Sequence, residues 1–182
     1  MQAKRSTKRR DERRAQIVRA VRELIVERGY AGAGVKDVMD GLGVARSLFY
    51  HYFDDLDAAV DAVLDERVKA ARERARTWRE GIVSGDTRGA LSSGLPILRE
   101  ALLGEDDLSL ALRRPGNAAV LMRLRERISR ELARLLAQTD ALGRGRSEDG
   151  MYVLVYGLMA LICAKPELTA LQLEELAAGL LV

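Results

Sequence analysis

The chain is poor in the residues that most often mark chemistry: 182 residues include one cysteine, one histidine, one tryptophan and three prolines. The lone Cys163 excludes an internal disulfide framework and any cysteine-rich zinc cluster, and the lone His51 removes the other common metal ligand. No metal or cofactor is therefore expected, and the cysteine usage suits a reducing cytoplasm. The longest apolar stretch, Met151–Ala164, has about 14 residues and reads as a buried helix, since a membrane span needs roughly 18–20. MQAKRSTKRRDERR at the start has no apolar stretch behind it and does not read as a signal peptide. Strand signals are lacking too: β-branched and aromatic residues do not alternate, while Leu, Ala, Arg and Glu dominate. The expected fold class is all-α.

Catalytic signatures are also missing. No nucleophile and base stand in a recognisable pattern, and Gly143-Arg144-Gly145 lacks the strand and helix that a phosphate-cradling loop requires. The sequence is not read as an enzyme.

What is present is a basic end. The formal charge of +3 conceals 12 Lys/Arg against 6 Asp/Glu in residues 1–53, a net of +6, and 18 against 21 in residues 54–182, a net of −3. Lys4, Arg5, Lys8, Arg9, Arg10, Arg13 and Arg14 are set against only Asp11 and Glu12. Such a segment suits a flexible arm over residues 1–10 that follows a DNA groove and makes binding strongly salt-dependent.

Apolar spacing then predicts the helices. Ile17, Val21, Leu24 and Ile25 make a stripe on a helix from about Asp11 to Arg28, which Gly29 would end. A short helix carries Val35, Val38, Met39 and Leu42, Gly43 makes a tight turn, and a third helix runs from about Ala45 to Phe53. Asp54-Asp55 reads as the cap of a long fourth helix that runs from Leu56 through Trp78 and ends before Gly81. Further helices are expected at about Arg88–Leu103, Asn117–Gln138, Ser147–Ala164 and Leu168–Leu181.

Val38, Leu42, Val44, Phe49 and Tyr52 would face one mini-core, as in a helix-turn-helix. Phe49, Tyr52, Phe53 and Tyr30 are then read as core aromatics. Arg46, Ser47, Leu48, Tyr50 and His51 are left on an outer face suited to a major groove. Arg46 can bind phosphate or guanine, Leu48 can meet a thymine methyl, and Tyr50 and His51 offer hydrogen bonds to phosphates. Lys36, Gly34 and Ala45 stand at the starts of the second and third helices, where backbone amides face the same groove, and Arg9 and Arg10 represent the arm.

Gly43-Val44-Ala45-Arg46-Ser47-Leu48-Phe49-Tyr50-His51-Tyr52-Phe53, with Arg28-Gly29-Tyr30 and Val35-Lys36-Asp37-Val38-Met39 ahead of it, resembles the TetR family of bacterial transcription regulators over about residues 11–64. The resemblance implies a homodimer whose two heads read a palindromic operator, most often as a repressor, and a helical C-terminal domain holding an inducer pocket and the dimer interface. Three departures stand out. Ala45 replaces a usual Ser or Thr, Gly34-Val35 replaces Thr-Thr, and Leu56, among Asp54, Asp55 and Asp57, replaces a lysine expected to contact phosphate.

The expected division is an arm at 1–10, a DNA-binding domain at 11–55 and a regulatory and dimerisation domain at 56–182. A small apolar ligand would meet Trp78, Leu98, Leu121, Met122 and Tyr152. Because residues 151–162 are apolar on more than one face, a dimer interface is expected through Tyr152, Val155, Met159 and Ile162, continued by Leu173, Leu176 and Leu180. The competing reading is a ligand-independent helical interaction module with weakened DNA binding, motivated by the missing lysine and its acidic replacements.

Overall fold

The computed structural model describes residues 2–81, 86–138 and 147–179, with side chains from residue 8 onward. Every regular element among them is helical: α1 Gln2–Glu27, α2 Val35–Gly41, a 3-10 helix Arg46–His51, α3 Leu56–Glu80, α4 Thr87–Leu103, α5 Asp107–Leu112, a 3-10 turn Pro115–Asn117, α6 Ala118–Ala137, α7 Glu148–Ala164 and α8 Ala170–Gly179. No helix among the described residues is long and apolar enough to cross a membrane. The expected turn at Ser84-Gly85, the Gly143–Arg146 loop and the end of the last helix at Leu181 lie outside the described residues.

Two compact units emerge, one from Met1–Glu66 with Leu110–Leu121, the other from Arg67–Ser109 with Met122–Val182. This differs from the expected break at residue 55. The division falls within α3, and a segment more than 40 residues further along the chain belongs to the head.

Within the head, Ile17, Val21 and Ile25 of α1 are fully buried, as their spacing predicts. The helix starts at Gln2 instead of Asp11, so the basic arm is helical. Residues 2–10 hold no glycine or proline, and Gln, Ala, Lys and Arg are good helix formers that extend the helix behind them. Gly29, at φ +87°, ends α1, and both Arg28 N–H and Gly29 N–H donate to the Leu24 carbonyl (3.0 Å each).

The next two carbonyls of α1 are satisfied from far along the chain. Asn117 is fully buried, and its carboxamide nitrogen donates to the Ile25 carbonyl and the Ala111 carbonyl, 2.9 Å each. Arg114 donates to the Val26 carbonyl at 2.8 Å. In the other direction, the Gly116 carbonyl accepts from Tyr30 N–H at 3.0 Å and Ala31 N–H at 2.8 Å, and Asn117 Oδ1 also accepts from Tyr30 N–H at 2.8 Å. A helix end leaves carbonyls without internal partners, and residues 111–117 supply what is missing.

In the second unit α4 packs against α7 and α8, and α7 against α8. Asp86 and Ser147 cap α4 and α7, accepting from Gly89 N–H at 2.9 Å and Gly150 N–H at 3.1 Å. Thr169 and Gln172 close a reciprocal capping box on α8. Asp106 caps α5 through Ser109, whose N–H donates at 3.1 Å and hydroxyl at 2.8 Å, while Arg67 donates to both Asp106 and the buried Ser109 hydroxyl. Burial alone would raise the Asp106 pKa, but the Arg67 guanidinium and the two Ser109 donors outweigh it and hold the carboxyl well below the usual carboxylate range.

Candidate nucleic-acid interface

The turn between α2 and Arg46 needs a left-handed residue, and Gly43 provides it at φ +65°. Around it, Gly43 N–H donates to the Asp40 carbonyl at 3.1 Å and Val44 N–H to the Met39 carbonyl at 3.2 Å. Asp37 reaches back to accept from Gly34 N–H at 2.8 Å, so the start of α2 keeps one half of a capping box without a hydroxyl at Gly34.

The segment after the turn is a six-residue 3-10 helix, not the α-helix from Ala45 to Phe53 that its spacing suggested. Leu48 N–H donates to the Ala45 carbonyl and Tyr52 N–H to the Phe49 carbonyl, both three residues back. Ser, aromatic and His residues make a run of low helix propensity, and a piece this short is held in place by its anchor. That anchor is Phe49, fully buried, with its ring 5.6 Å from Phe53 and 5.7 Å from Tyr50. Arg14 of α1 lies 4.9 Å from the Phe53 ring centroid in a cation–π contact.

The outward face follows the sequence reading closely. Ala45, Arg46, Ser47, Tyr50 and His51 are exposed, Tyr50 at 59%, and Leu48 is half-buried; on α2 Lys36 is exposed and Gly34 half-buried. Arg9 and Arg10 are exposed on α1 and, with Glu12, Arg13, Gln16 and Tyr52, line an open cleft in the same unit. The inner face differs in detail. Val38 and Met39 are buried, Met39 fully, whereas Leu42, Val44, Tyr52 and Tyr30 are only half-buried.

The family of bacterial regulatory proteins called the tetR family matches residues 17–63, the stretch that builds this head. The HTH-type transcriptional activator FasR of Mycolicibacterium smegmatis is 38% identical over 72 residues, covering 37% of this chain and 33% of that protein. The HTH-type transcriptional regulator EthR of Mycobacterium tuberculosis is 28% identical over 109 residues, 60% of this chain and 49% of that protein. A TetR-family transcriptional regulator from Syntrophomonas wolfei, solved by crystallography, superposes with a TM-score of 0.60 at 15% identity over 94% of both chains, which shows the fold. Residues 17–63 therefore form a TetR-family N-terminal domain. The chain spans between a third and a half of the length of these two curated relatives in the matched regions.

Where this TetR-family head departs from the family pattern, the replacements have structural work. Leu56 is 9% exposed and belongs to the core, so the position of the usual lysine serves packing. Asp55 accepts from Ala58 N–H at 2.7 Å and starts α3, and Asp57 accepts the Tyr30 hydroxyl. Asn117 and the segment around it escaped the sequence reading, because a single buried amide in a turn has no periodic signature.

Several expectations for the C-terminal unit are corrected. Val155, Met159, Ile162 and Leu173 are at most 3% exposed within the chain itself, so they are core residues and not surface for a second copy. Since α7 is apolar around most of its circumference, periodicity could not choose its inner face. Tyr152 stacks on Tyr156 at 5.6 Å with Arg130 5.8 Å from its ring centroid, and Leu180 lies outside the described residues. On α7 and α8 the large apolar residues left exposed are Val153 at 70% on α7 and Leu171 at 63% and Leu176 at 49% on α8. Along α7, Gly157, Ala160 and Ala164 continue the Val153 line as small, at least partly exposed residues.

An apolar cavity of about 50 Å³ lies among α3, α4, α6 and α7. Of the residues expected to meet a ligand, Trp78 and Leu98 line this cavity and Leu121, Met122 and Tyr152 do not. Met122 is 56% exposed because α6 turns Leu124, Ile128 and Leu132 inward instead. Leu121 is half-buried elsewhere on that helix.

Proposed function

We propose that this protein is a TetR-family DNA-binding transcriptional repressor that holds a palindromic operator as a homodimer and is released by a small apolar molecule. The observation that carries the reading is the division of the 3-10 helix into a buried anchor, Phe49, and an outward set, Arg46, Ser47, Tyr50 and His51. Phosphate contacts place such a head and base-edge contacts choose the sequence, so Arg46 and Ser47 read bases while Tyr50 and His51 hold phosphates. Exposed Lys36, Arg9 and Arg10 add positive charge on the same unit.

Dimerisation uses the exposed line of Val153, Gly157, Ala160 and Ala164 on α7 with Leu171 and Leu176 on α8. Small residues let two helices approach closely, and exposed Val and Leu supply apolar area to bury. Sedimentation of the intact protein tests this: the wild type is expected as a dimer, Val153→Glu with Leu171→Glu as a folded monomer, and a monomeric wild type at micromolar concentration contradicts it.

DNA recognition is tested by footprinting the protein on DNA flanking its own gene. A protected palindrome that disappears in Arg46→Ala with Tyr50→Ala supports the proposal, and no protection at low salt refutes it.

A further inference from the structure

We infer that Arg125 of each protomer pairs with the partner's Glu175, and that this twice-repeated ion pair makes the chain choose a second copy of itself over another helical protein. The inference rests on the dimerisation proposed above. It adds what an apolar line cannot supply, a charge pattern that only the matching surface answers.

Arg125 is a cation without an anion. It stands on α6, half-buried, its Nε fully buried with no hydrogen-bond partner, and it makes no ion pair among the described residues. Its guanidinium carbon lies 4.7 Å from the Tyr156 ring centroid, and its charge reaches Cys163, two turns further along α7, where it opposes the rise that burial gives the thiol. Tyr156 precedes Ala160 by one turn, so Arg125 borders the exposed line of Val153, Gly157, Ala160 and Ala164. Neighbouring arginines are committed, Arg130 to Glu126 at 2.8 Å and Arg134 to Glu148 at 3.3 Å. A guanidinium stacked on a ring and partly stripped of water is suited to a carboxylate delivered from outside.

Glu175 is the converse. Leu171 and Gly179, one turn to either side, and Gln172 and Leu176 are all exposed, which centres Glu175 on the outer face of α8, and it too has no partner among the described residues. Once a second copy covers Leu171 and Leu176, that carboxylate leaves water and destabilises the contact unless a cation meets it. Nearby acids have other roles. Glu174 pairs with Arg88 at 3.3 Å, and Asp149 sits in the first turn of α7, where the helix amides favour a negative charge.

A two-fold axis brings the same surface to both sides of the contact, so one unmatched cation and one unmatched anion answer each other in both directions. Lys165 is the other cation beside this face. It is exposed past the end of α7, where an ammonium keeps its water.

The test uses full-length Arg125→Glu, Glu175→Arg, the double variant carrying both, and an equimolar mixture of the two single variants. Sedimentation gives the dimer Kd, native mass spectrometry identifies the mixed dimer, and circular dichroism checks the fold. Each single variant should weaken the dimer at least about 100-fold, tenfold for each of two pairs. The double variant and the mixture should both return to within about tenfold of wild type, because each again sets opposite charges across the contact. Arg125→Gln and Glu175→Gln keep size without charge; each should weaken the dimer about tenfold or more, and the two together little more than either.

A dimer unaffected by either charge reversal overturns the ion pair and leaves dimerisation standing, whereas a monomeric wild type overturns both. Recovery in the double variant but not in the mixture places the pair within one chain, and recovery on mixing Glu175→Arg with Lys165→Glu gives the role to Lys165. Either result also refutes the inference.

Discussion

Replacing Asn117 with alanine removes the side chain that joins three backbone groups of the head: the carbonyls of Ile25 and Ala111 and the N–H of Tyr30. Each hydrogen bond contributes about 1 kcal/mol net, so the three together contribute about 3 kcal/mol. Tyr30 N–H keeps Gly116 and the Ala111 carbonyl keeps Arg114 N–H, but the Ile25 carbonyl at the end of α1 loses its cap, for roughly another 1–2 kcal/mol. Asn117→Ala should therefore destabilise the protein by about 3–5 kcal/mol and lower its thermal midpoint by about 10 °C. Asn117→Asp should do no better, because a carboxylate accepts from Tyr30 but cannot donate to two carbonyls. Urea and thermal unfolding followed by circular dichroism measure this. A loss below 1 kcal/mol for both variants would refute the claim that residues 111–117 complete the head.

Gly43→Ala meets no atom within 4 Å, so its cost is the left-handed backbone alone, about 1–2 kcal/mol, with Gly43→Asn less harmful; equal stability of the two by urea unfolding would contradict this. Asp106 has a folded pKa below its unfolded value, so its contribution is fully present above about pH 4 and disappears as pH falls further. With its side chain 48% exposed that contribution is about 1 kcal/mol at most, and Asp106→Asn should show a shallower acid limb below pH 4 than the wild type. Removing residues 1–10 should reduce the slope of log affinity against log salt by about 0.9 for each phosphate those residues neutralise, and an unchanged slope would show that the basic end of α1 does not touch DNA.

The head was legible because its constraints are local. Gly43 must take a positive φ, Phe49 must be buried if Arg46 and Tyr50 are to point out, and Ile17, Val21 and Ile25 repeat at helical spacing. The rest depended on long-range choices that periodicity does not encode. Asn117 binds α1 across 92 residues, and nothing in its neighbours marks a turn for that role. On α7, residues that look alike divide into buried Val155 and exposed Val153 only once α4 and α6 have covered one side. Charge misled at the N-terminus, where a basic run is as good a helix former as it is an arm. Leu56 misled differently, since a position where the family pattern suggests a phosphate-binding lysine is filled by core packing.

The central claim is that the outward face of the Arg46–His51 helix reads DNA sequence. Its most direct measurement is the ratio of affinities, at one physiological salt concentration, for the footprinted operator and for a random duplex of equal length, in wild type and in Arg46→Ala with Tyr50→Ala. The account predicts a wild-type ratio of at least about 10³ that collapses toward unity in the double variant while its fold is retained. Equal affinity of the wild type for both duplexes, or a ratio unchanged by the two substitutions, would contradict it.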